Sequence, residues 1–277
     1  MVYIVIPVHN RKEYTFDCLT SLQNQSVANK IIVVDDGSTD GTKEMLSEKF
    51  PEVIVLMGDG TLFWTAAINM GIRHALKLGA LFVMTLNNDT IASPTFLEKM
   101  MYWAGQKPNA LLGAFDIDTK TKKPYYGGEI MHWALDKSSY LLDTLKESEQ
   151  HGLHEVSVFP ARGLLIPRRV FDSIGLFEEK MLPHYMADFD FTLLAKRKGF
   201  PIYCNYDAIL YTYPEEGGDR KISKKKTLEN YYKHLFTIKG GGNLKNFTIY
   251  TFRNCPPLLI PISLSVGYMR RLVGFWR

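Results

Sequence analysis

Four short apolar runs, each followed by a polar loop, organise the first hundred residues of the chain. Each run is dominated by Val, Ile, Leu and Met, as expected of a strand that is covered on both faces. The runs are 2–8 (VYIVIPV), 30–36 (KIIVVDD), 53–57 (VIVLM) and 80–86 (ALFVMTL). They predict the central strands of a mostly parallel sheet.

Segments with helical spacing separate these runs, because their apolar residues recur three and four positions apart. Three of them are 12–25, 40–50 and 65–79, and Gly79 is the predicted C-terminal cap of the third. Ser93 and Pro94 predict the N-cap and first position of a fourth helix. This alternation of strands and helices predicts an α/β, Rossmann-like fold with helices on both faces of the sheet.

The second half of the chain has a less regular pattern. Residues 105–165 contain a Gly pair and a charged run (143–152) that predicts a loop or a short helix. The later predictions are strands in 155–167, a helix over 187–199, a strand over 202–213, and helices in 224–239 and 246–254. The chain ends in an apolar and basic segment.

Composition indicates an ordinary globular protein of 277 residues, with 46% hydrophobic and 22% charged residues. This length allows one large domain or one and a half. The three cysteines, Cys18, Cys204 and Cys255, lie far apart without zinc-site spacing, which favours a reducing, cytoplasmic location.

Charge and hydropathy exclude some classes of protein. The net charge is only +4, but positive residues gather in 219–226 and 268–277, which fits either an anionic partner or a solvated basic face. The N-terminus lacks the basic start of a signal peptide, and 256–269 is too short and proline-rich for a membrane span. We expect no nucleic-acid partner.

Polar or glycine-rich loops follow all four predicted strands. They contain His9-Asn10-Arg11, Asp35-Asp36-Gly37-Ser38, Gly58-Asp59-Gly60 and Asn87-Asn88-Asp89. Each could be an ordinary turn, but parallel strands bring such loops to one edge of the sheet, where ligands bind. Neither G-x-G-x-x-G nor G-K-[ST] follows the first strand, so a hard divalent cation would have to balance any phosphate charge. Asp89 is the best candidate ligand.

The same loops resemble family 2 nucleotide-sugar glycosyltransferases, which have the GT-A fold. The similar segments, in order, are IVIPVHNR, IIVVDDGSTDGT, NMGI, LNNDT, GLFEE and ADFDF, and the resemblance covers about 1–213. GDGTLFWTAAINMGI and YYKHLFTIK are most similar to bacterial rhamnosyltransferases. The resemblance implies a catalytic domain over 1–215, with a nucleotide-binding half (1–105) and an acceptor-binding half (106–215), followed by a helical extension.

The resemblance also implies roles for individual residues. Pro7, His9 and Arg11 would line the nucleotide pocket, and Asp35 and Asp36 would contact the base and ribose. Asp89 would coordinate Mg²⁺ or Mn²⁺, and Asn87 replaces the first acidic residue of the family's metal motif while remaining an oxygen donor. The other expected donor-site residues are Gly58, Trp64, Asn69, Asn88, Arg162 and Gly163.

Asp188 and Asp190 are the candidates for a catalytic base, which the attacking hydroxyl requires. They lie about 200° apart around a helix, so only one can face the substrate. By resemblance the base is Asp188, although Ala187 replaces the preceding acidic residue. The alternative is that both aspartates only favour the positive end of the helix dipole.

Several alternatives stay open at this point. Thr212 and Tyr213 replace a metal-binding histidine of the family, and His184 could substitute or be an ordinary loop residue. Trp64 fits sugar stacking and helix packing equally well, and Arg162 could belong to a surface ion pair. The C-terminal segment 256–277 fits either an anionic membrane interface or packing on the protein or in an oligomer.

The residues and the resemblance together predict an inverting glycosyltransferase, cytoplasmic or peripheral at the inner face of the cell membrane. The expected donor is dTDP-rhamnose, or alternatively a UDP-sugar carrying another hexose or hexosamine. The expected acceptor is a hydroxyl of a surface glycan or a lipid-linked glycan. A nucleotidyltransferase and a non-catalytic sugar-binding module are the competing hypotheses.

Overall fold

Alternate side chains of the first strand, β1 (Val2–Val8), enter two separate hydrophobic cores. Ile4 and Ile6 belong to one core, whereas Tyr3 and Val5 belong to the other. The structure, a computed structural model, describes residues 1–216, 222 and 224–276. The two cores lie on opposite faces of one central sheet, which explains why the strand sequence is continuously apolar.

Twelve strands and nine helices are found in the described part of the chain. The strands are β1, β2 (Asn29–Asp35), β3 (Ile54–Met57), β4 (Phe82–Thr85), β5 (Thr90–Ala92), β6 (Leu111–Asp118), β7 (Pro124–Tyr126), β8 (Glu129–His132), β9 (Lys137–Tyr140), β10 (Leu153–Glu155), β11 (Leu164–Pro167) and β12 (Ile202–Thr212). The helices are α1 (Lys12–Gln23), α2 (Thr42–Lys49), α3 (Phe63–Lys77), α4 (Phe96–Gln106), α5 (Arg168–Ile174), α6 (Ala187–Arg197), α7 (Leu228–Phe236), α8 (Leu244–Asn254) and α9 (Ile260–Gly274).

The central sheet has the order β10-β12-β6-β11-β4-β1-β2-β3, with β5 and β7 pairing to β12 and β6. Neighbours among β4, β1, β2 and β3 are parallel, and so are β6 and β12. β11 is antiparallel to both β4 and β6 and so joins the two parallel parts. β8 and β9 form a separate two-stranded sheet.

The predictions for the first hundred residues are confirmed apart from one helix start. The four predicted strands are β1 to β4, and Gly79 follows α3 in the left-handed region with φ 84°. α4 begins at Phe96 with Thr95 as its N-cap, so the prediction that Ser93 caps this helix is wrong. The Ser93 backbone oxygen accepts the Phe96 N–H at 3.0 Å, which closes a turn before the helix starts.

Structure in the middle of the chain is more regular than predicted. Residues 111–118 form β6, a strand that the sequence pattern did not reveal. The charged run 143–152 contributes only single 3-10 turns. Within 155–167, Glu155 ends β10 and residues 164–167 form β11, and the residues between them lie outside both strands. The predicted helix over 187–199 and strand over 202–213 are confirmed as α6 and β12.

Helices α7 to α9 follow β12, and α8 packs against α6, whereas α9 packs against α8 and the turn at Trp133–Leu135. Asp190 of α6 is 2% exposed and accepts two hydrogen bonds from Arg253 of α8, at 2.8 and 3.0 Å. Part of the basic run 219–226, and also Arg277, lie outside the described residues. Within 1–216, 222 and 224–276, none of the helices combines the length and apolar character needed to cross a bilayer.

Candidate active site

The loops after β1, β2, β3 and β4 meet at one edge of the sheet, as predicted from their polar sequences. His9 Nδ1 lies 2.6 Å from the backbone oxygen of Asp36, which joins the first two loops. The Gly58 N–H donates to the backbone oxygen of Asp35 at 2.8 Å and joins the third. Arg11 contacts the fourth loop, so all four loops contribute to a single surface.

Arg11 connects three parts of the chain at this edge. Its guanidinium donates to Asp89 Oδ2 at 2.9 Å and to the backbone oxygen of Glu216 at 2.7 Å. Arg11 and the preceding Asn10 both have left-handed backbone, with φ 68° and 59°, so α1 starts after a sharp turn that follows the half-buried Pro7. Asp89 therefore has a positive counterion supplied by the protein itself.

Asp35 and Asp36 have different environments although they are adjacent. Asp35 is fully buried, and its Oδ1 accepts the Ser38 N–H at 3.0 Å. Its Oδ2 is buried without a hydrogen-bond partner among the described residues. A buried acceptor of this kind is unusual unless a ligand supplies the missing donor.

Asp36 holds the loop that follows β3. Its two carboxylate oxygens accept the backbone N–H groups of Gly60 at 2.8 Å and Leu62 at 3.1 Å. A Cβ at Gly58 would lie 2.6 Å from Asp36 Oδ1, so the two backbones approach closely. Asp36 therefore fixes the shape of this loop, and its contact with the base or ribose stays a prediction.

The Asn87-Asn88-Asp89 loop contains three side chains with three different environments. Asn87 Oδ1 accepts the Trp64 indole N–H at 3.2 Å. Asn88 is 6% exposed and donates to Thr15 of α1 at 2.9 Å, which anchors the loop, and its contact with the donor stays a prediction. Asp89 remains partly exposed at the edge, with 13% of its side-chain surface accessible.

These residues are chemically compatible with a divalent cation. Asp89 offers carboxylate oxygen, which Mg²⁺ and Mn²⁺ prefer. No group of three or more His, Cys, Asp or Glu side chains in the described part of the chain could hold a metal. Mg²⁺ commonly uses one or two carboxylates together with substrate phosphates, so a single protein carboxylate fits a metal that arrives with a diphosphate. The amide oxygen of Asn87 is committed to Trp64 and adds little to this set.

Arg162 pairs with a buried carboxylate of β6, so the surface ion pair considered from the sequence is wrong. Arg162 Nε and Nη2 contact Asp116 Oδ2 at 2.8 and 2.5 Å, and Asp116 is 1% exposed. Burial raises the pKa of Asp116 to about 6, although Arg162 lowers it. Burial lowers the pKa of Arg162, but the charges of Asp116 and Asp89 outweigh that effect and raise it. Arg162 therefore belongs to the same electrostatic site as Asp89.

Gly163 fixes the backbone beside Arg162. Its φ is 72°, and an added Cβ would lie 2.4 Å from Leu210 Cδ1 and 2.8 Å from Ala114 Cβ. The Gly163 N–H donates to Thr85 at the end of β4, and its carbonyl accepts from Ala114 of β6. Only glycine combines this conformation with this approach, so the turn that presents Arg162 is tightly defined.

Asp188 and Asp190 point in different directions, as the helical spacing predicts. Asp190 pairs with α8, whereas Asp188 lies half-buried at the start of α6. Burial raises the pKa of Asp188, and the backbone N–H groups of Phe189 and Ala161 and the charge of Arg162 lower it in part. The charge of Arg162 therefore favours the ionised form of Asp188.

Two other predicted donor-site residues connect parts of the protein. Asn69 is 1% exposed, and its amide bonds to the backbone N–H and C=O of Phe177 and to Glu179. Asn69 therefore holds the loop before α6, and its place in the donor site stays a prediction. Trp64 packs edge-on against Phe177 with ring centroids 5.7 Å apart, which favours its packing role over stacking on a sugar.

Two buried acidic residues near Asp188 and Arg162 escaped the sequence analysis. Glu129 of β8 is 5% exposed and accepts the Tyr126 hydroxyl at 3.0 Å. Burial raises the pKa of Glu129, and the charge of Asp188 raises it further. Asp116, the second residue, lies in a strand that was not predicted. The alternation of Asp116 and Asp118 with apolar residues was the available signal.

The alternative metal ligands have other neighbours in the structure. Thr212 is 2% exposed at the end of β12, and Tyr213 packs edge-on against Tyr14 at 5.0 Å. His184 packs against Tyr185, and its Nδ1 is buried without a hydrogen-bond partner among the described residues. Burial lowers the pKa of His184 to about 4, with a contribution from the charge of Lys239. His184 is therefore neutral near pH 7.

Comparison with known proteins identifies similar sequences. A family model for glycosyl transferase family 2 matches residues 3–172. An uncharacterized glycosyltransferase of Rickettsia prowazekii is 27% identical over 200 residues, which are 69% of this chain and 57% of that protein. The dTDP-rhamnosyl transferase RfbF of Shigella flexneri is 23% identical over 186 residues, 67% of this chain and 60% of its own. The chain spans less than two thirds of these relatives.

A solved structure gives the same architecture. The mannosyltransferase PcManGT from Pyrobaculum calidifontis, in complex with GDP-Man and Mn²⁺, matches 99% of this chain and 72% of its own with a TM-score of 0.63. The sequence identity is 15%, so the match concerns the fold. The predicted GT-A fold is confirmed.

Proposed function

The chain belongs to glycosyl transferase family 2, and from this membership we propose that it transfers a sugar from a nucleotide-sugar donor to a hydroxyl group. One observation of the structure carries the proposal. The polar loops after β1 to β4 meet at one edge of the sheet, where Arg11 pairs with Asp89 at 2.9 Å. A diphosphate bound at this edge would lie beside an arginine and a carboxylate that can hold a metal ion.

The donor would bind across the loops after β1 and β2. The orphaned Asp35 Oδ2 is suited to accept an N–H from the nucleotide base, because a pyrimidine such as thymine or uracil offers one. His9 and Pro7 border this position at the end of β1. The similarity to the Shigella flexneri rhamnosyl transferase supports dTDP-rhamnose as the donor, and a UDP-sugar is the alternative.

In the proposed reaction the acceptor oxygen attacks the anomeric carbon while the bond from that carbon to the diphosphate breaks. A single displacement of this kind inverts the configuration, in agreement with the family resemblance. Asp188 takes the proton from the acceptor hydroxyl. Its raised pKa favours this role, because a base is most effective when its pKa approaches the working pH.

Asp89 would hold Mg²⁺ or Mn²⁺, and the metal would supply positive charge to the departing diphosphate. Arg11 pairs with Asp89 at 2.9 Å and is close enough to contact phosphate once the donor is bound. Arg162 is fixed by Asp116 and by the tight turn at Gly163, so its charge is held in place before a substrate binds. The acceptor would be a hydroxyl of a surface glycan or of a lipid-linked glycan.

The base distinguishes this proposal from its competitors. A nucleotidyltransferase would show a basic, glycine-rich loop after β1, where this chain has the sequence PVHNRKEY. A non-catalytic binding module would retain the donor site without needing Asp188. The Asp188→Asn variant therefore distinguishes a glycosyltransferase from a non-catalytic binding module.

The test measures donor binding and sugar transfer in the same preparations. Thermal shifts with dTDP-rhamnose and with UDP- and GDP-sugars, in the presence and absence of Mn²⁺, identify the donor. Asp188→Asn should retain the shift given by that donor and lose transfer by about 10²- to 10⁴-fold, the usual contribution of a general base. Normal turnover by this variant would exclude the proposed mechanism, and no stabilisation by any donor would exclude the function itself.

A further inference from the structure

Helix α9 turns its apolar side chains towards solvent. The apolar face of α9, which we define as Leu258 in the 3-10 turn before the helix, Ile262, Met269 and Val273 within it and Trp276 just after it, has exposures of 95%, 49%, 61%, 41% and 46%. These residues are spaced four, seven, four and three positions apart, so they follow one side of the helix. The apolar face is continuous along the whole helix.

The opposite side of α9 is the one that packs on the protein, and it is small and polar. Ser263 is fully buried, and Gly267 packs so closely on Phe247 that a Cβ would lie 2.1 Å from its ring. Arg271 pairs with Asp136, whose side chain is 8% exposed. A surface helix that serves only its own core places its apolar stripe inwards. α9 has the reverse arrangement, so its outward face is suited to an apolar environment.

Helix α7 carries a second exposed apolar stripe in the same part of the molecule. Leu228, Tyr232 and Phe236 follow one another at intervals of four and are 77%, 62% and 56% exposed. Tyr231, between them, packs on Phe275 and Trp276 at the end of α9, with ring centroids 5.4 and 5.2 Å apart. Tyr and Trp are the side chains that favour the boundary between water and lipid.

The charge of this region has the opposite sign to that of the rest of the chain. Residues 224–276 contain nine basic residues and one acidic residue, whereas residues 1–216 contain 21 basic and 27 acidic residues. An anionic surface would therefore attract the extension and repel the remainder, which orients the molecule. A second copy docked face to face through the same surface would bring two basic extensions together, which is unfavourable.

We propose that α7 and α9 form a membrane-docking surface that binds an anionic lipid bilayer from one side. The apolar face of α9 and the α7 stripe would enter the boundary between headgroups and acyl chains, and lysines such as Lys224, Lys225 and Lys233 would contact lipid headgroups. This inference does not depend on the proposed function, because lipid binding requires neither donor nor acceptor. The docked enzyme would meet a lipid-linked acceptor at the membrane surface.

The test is co-sedimentation of the full chain with lipid vesicles. We expect binding to vesicles that contain phosphatidylglycerol, at least tenfold weaker binding to phosphatidylcholine alone, and weaker binding at high salt. Ile262→Ser combined with Val273→Ser should reduce vesicle affinity at least tenfold. Leu81→Ser combined with Tyr102→Ser is the matched control, because these residues are 59% and 58% exposed on the catalytic part.

Folding and oligomeric state are measured on the same variants. Because Ile262, Val273, Leu81 and Tyr102 are all exposed, we expect unchanged melting temperatures, which would exclude misfolding. Lys224→Gln combined with Lys225→Gln should weaken binding only to the anionic vesicles. Failure of the wild type to bind these vesicles overturns the proposal, and so does equal loss in the control. Light scattering that shows a dimer converted to a monomer by the α9 variant would assign the surface to a second copy instead.

Discussion

Asp188 and Asp190 are two residues apart, and we predict that their asparagine variants fail in opposite ways. Asp190 Oδ1 accepts Arg253 Nε at 2.8 Å and Asn254 Nδ2 at 2.7 Å, and its Oδ2 accepts Arg253 Nη2 at 3.0 Å. Asp190→Asn replaces one of these oxygens by an NH₂ donor that faces other donors. It also removes the charge opposite Arg253, so α8 loses its main polar attachment to α6.

The size of this effect follows from the burial of the two partners. Removing one partner of a fully buried ion pair costs about 3–5 kcal/mol. Arg253 is 31% exposed and also lies 3.5 Å from Glu178, so water and a second carboxylate recover part of that loss. We therefore expect Asp190→Asn to reduce the free energy of unfolding by about 2–3 kcal/mol. For a chain of this length that corresponds to a melting temperature lower by about 4–12 °C.

Thermal unfolding and sugar transfer, measured side by side, test this prediction. Asp190→Asn should lower the melting temperature and keep most of the transfer rate well below it. Asp188→Asn should melt at or slightly above the wild-type temperature, because burial of the ionised Asp188 is unfavourable, and it should lose transfer. An Asp190→Asn protein with native stability but no activity would show that the two aspartates have been assigned the wrong way round.

Three further predictions concern the site and its surroundings. Gly163→Ala should lower the free energy of unfolding by about 2–4 kcal/mol, because alanine would be strained in the left-handed region and would overlap its neighbours. The control Gly105→Ala, in open space within α4, should stabilise the protein slightly. Equal melting temperatures of the two variants would refute this prediction. The pKa of Asp188 is raised and a base must be ionised, so kcat/KM should fall with decreasing pH, beginning at a pH above the usual pKa of an aspartate. A pH profile that stays flat down to pH 4 would contradict the assignment of Asp188 as the base. Removing divalent metal with EDTA should abolish sugar transfer, and activity that survives EDTA would exclude a metal-dependent mechanism. Asn87→Asp adds a carboxylate close to Asp89 in the sequence, so it should lower the Mn²⁺ concentration needed for half-maximal rate by about tenfold.

The sequence predicted the nucleotide-binding half of the fold well because its signals are local. β1 to β4 are apolar on both faces, and each is followed by polar residues that parallel pairing brings to one edge. Asp188 and Asp190 could be assigned to different directions from helical spacing alone. Predictions of this kind require only the residues close by in the sequence and the geometry of a single strand or helix.

The errors arose where a side chain is explained by a distant partner. β6 was missed because Asp116 looks incompatible with a buried strand until Arg162, 46 positions later, supplies its counterion. Asn69 and Asn88 were predicted at the donor site from the family resemblance, which does not reveal that their side chains hold other parts of the chain together. Their partners, Phe177 and Thr15, lie 108 and 73 positions away, and no local pattern indicates such pairs.

Strand β11 has a consequence for how the protein is synthesised. It lies between β4 and β6 and pairs with both, although it is made after either of them. While the ribosome is still translating residues before Leu164, the nascent chain carries β4 with one unpaired edge, and such edges recruit other strands and promote aggregation. The edge of β4 can therefore be covered only after Pro167 has emerged, and the sheet is complete only after β12 has followed. A gene fragment that ends between α4 and β11 is expected to yield insoluble protein, and by the same reasoning a truncated chain needs to extend past Thr212, the end of β12.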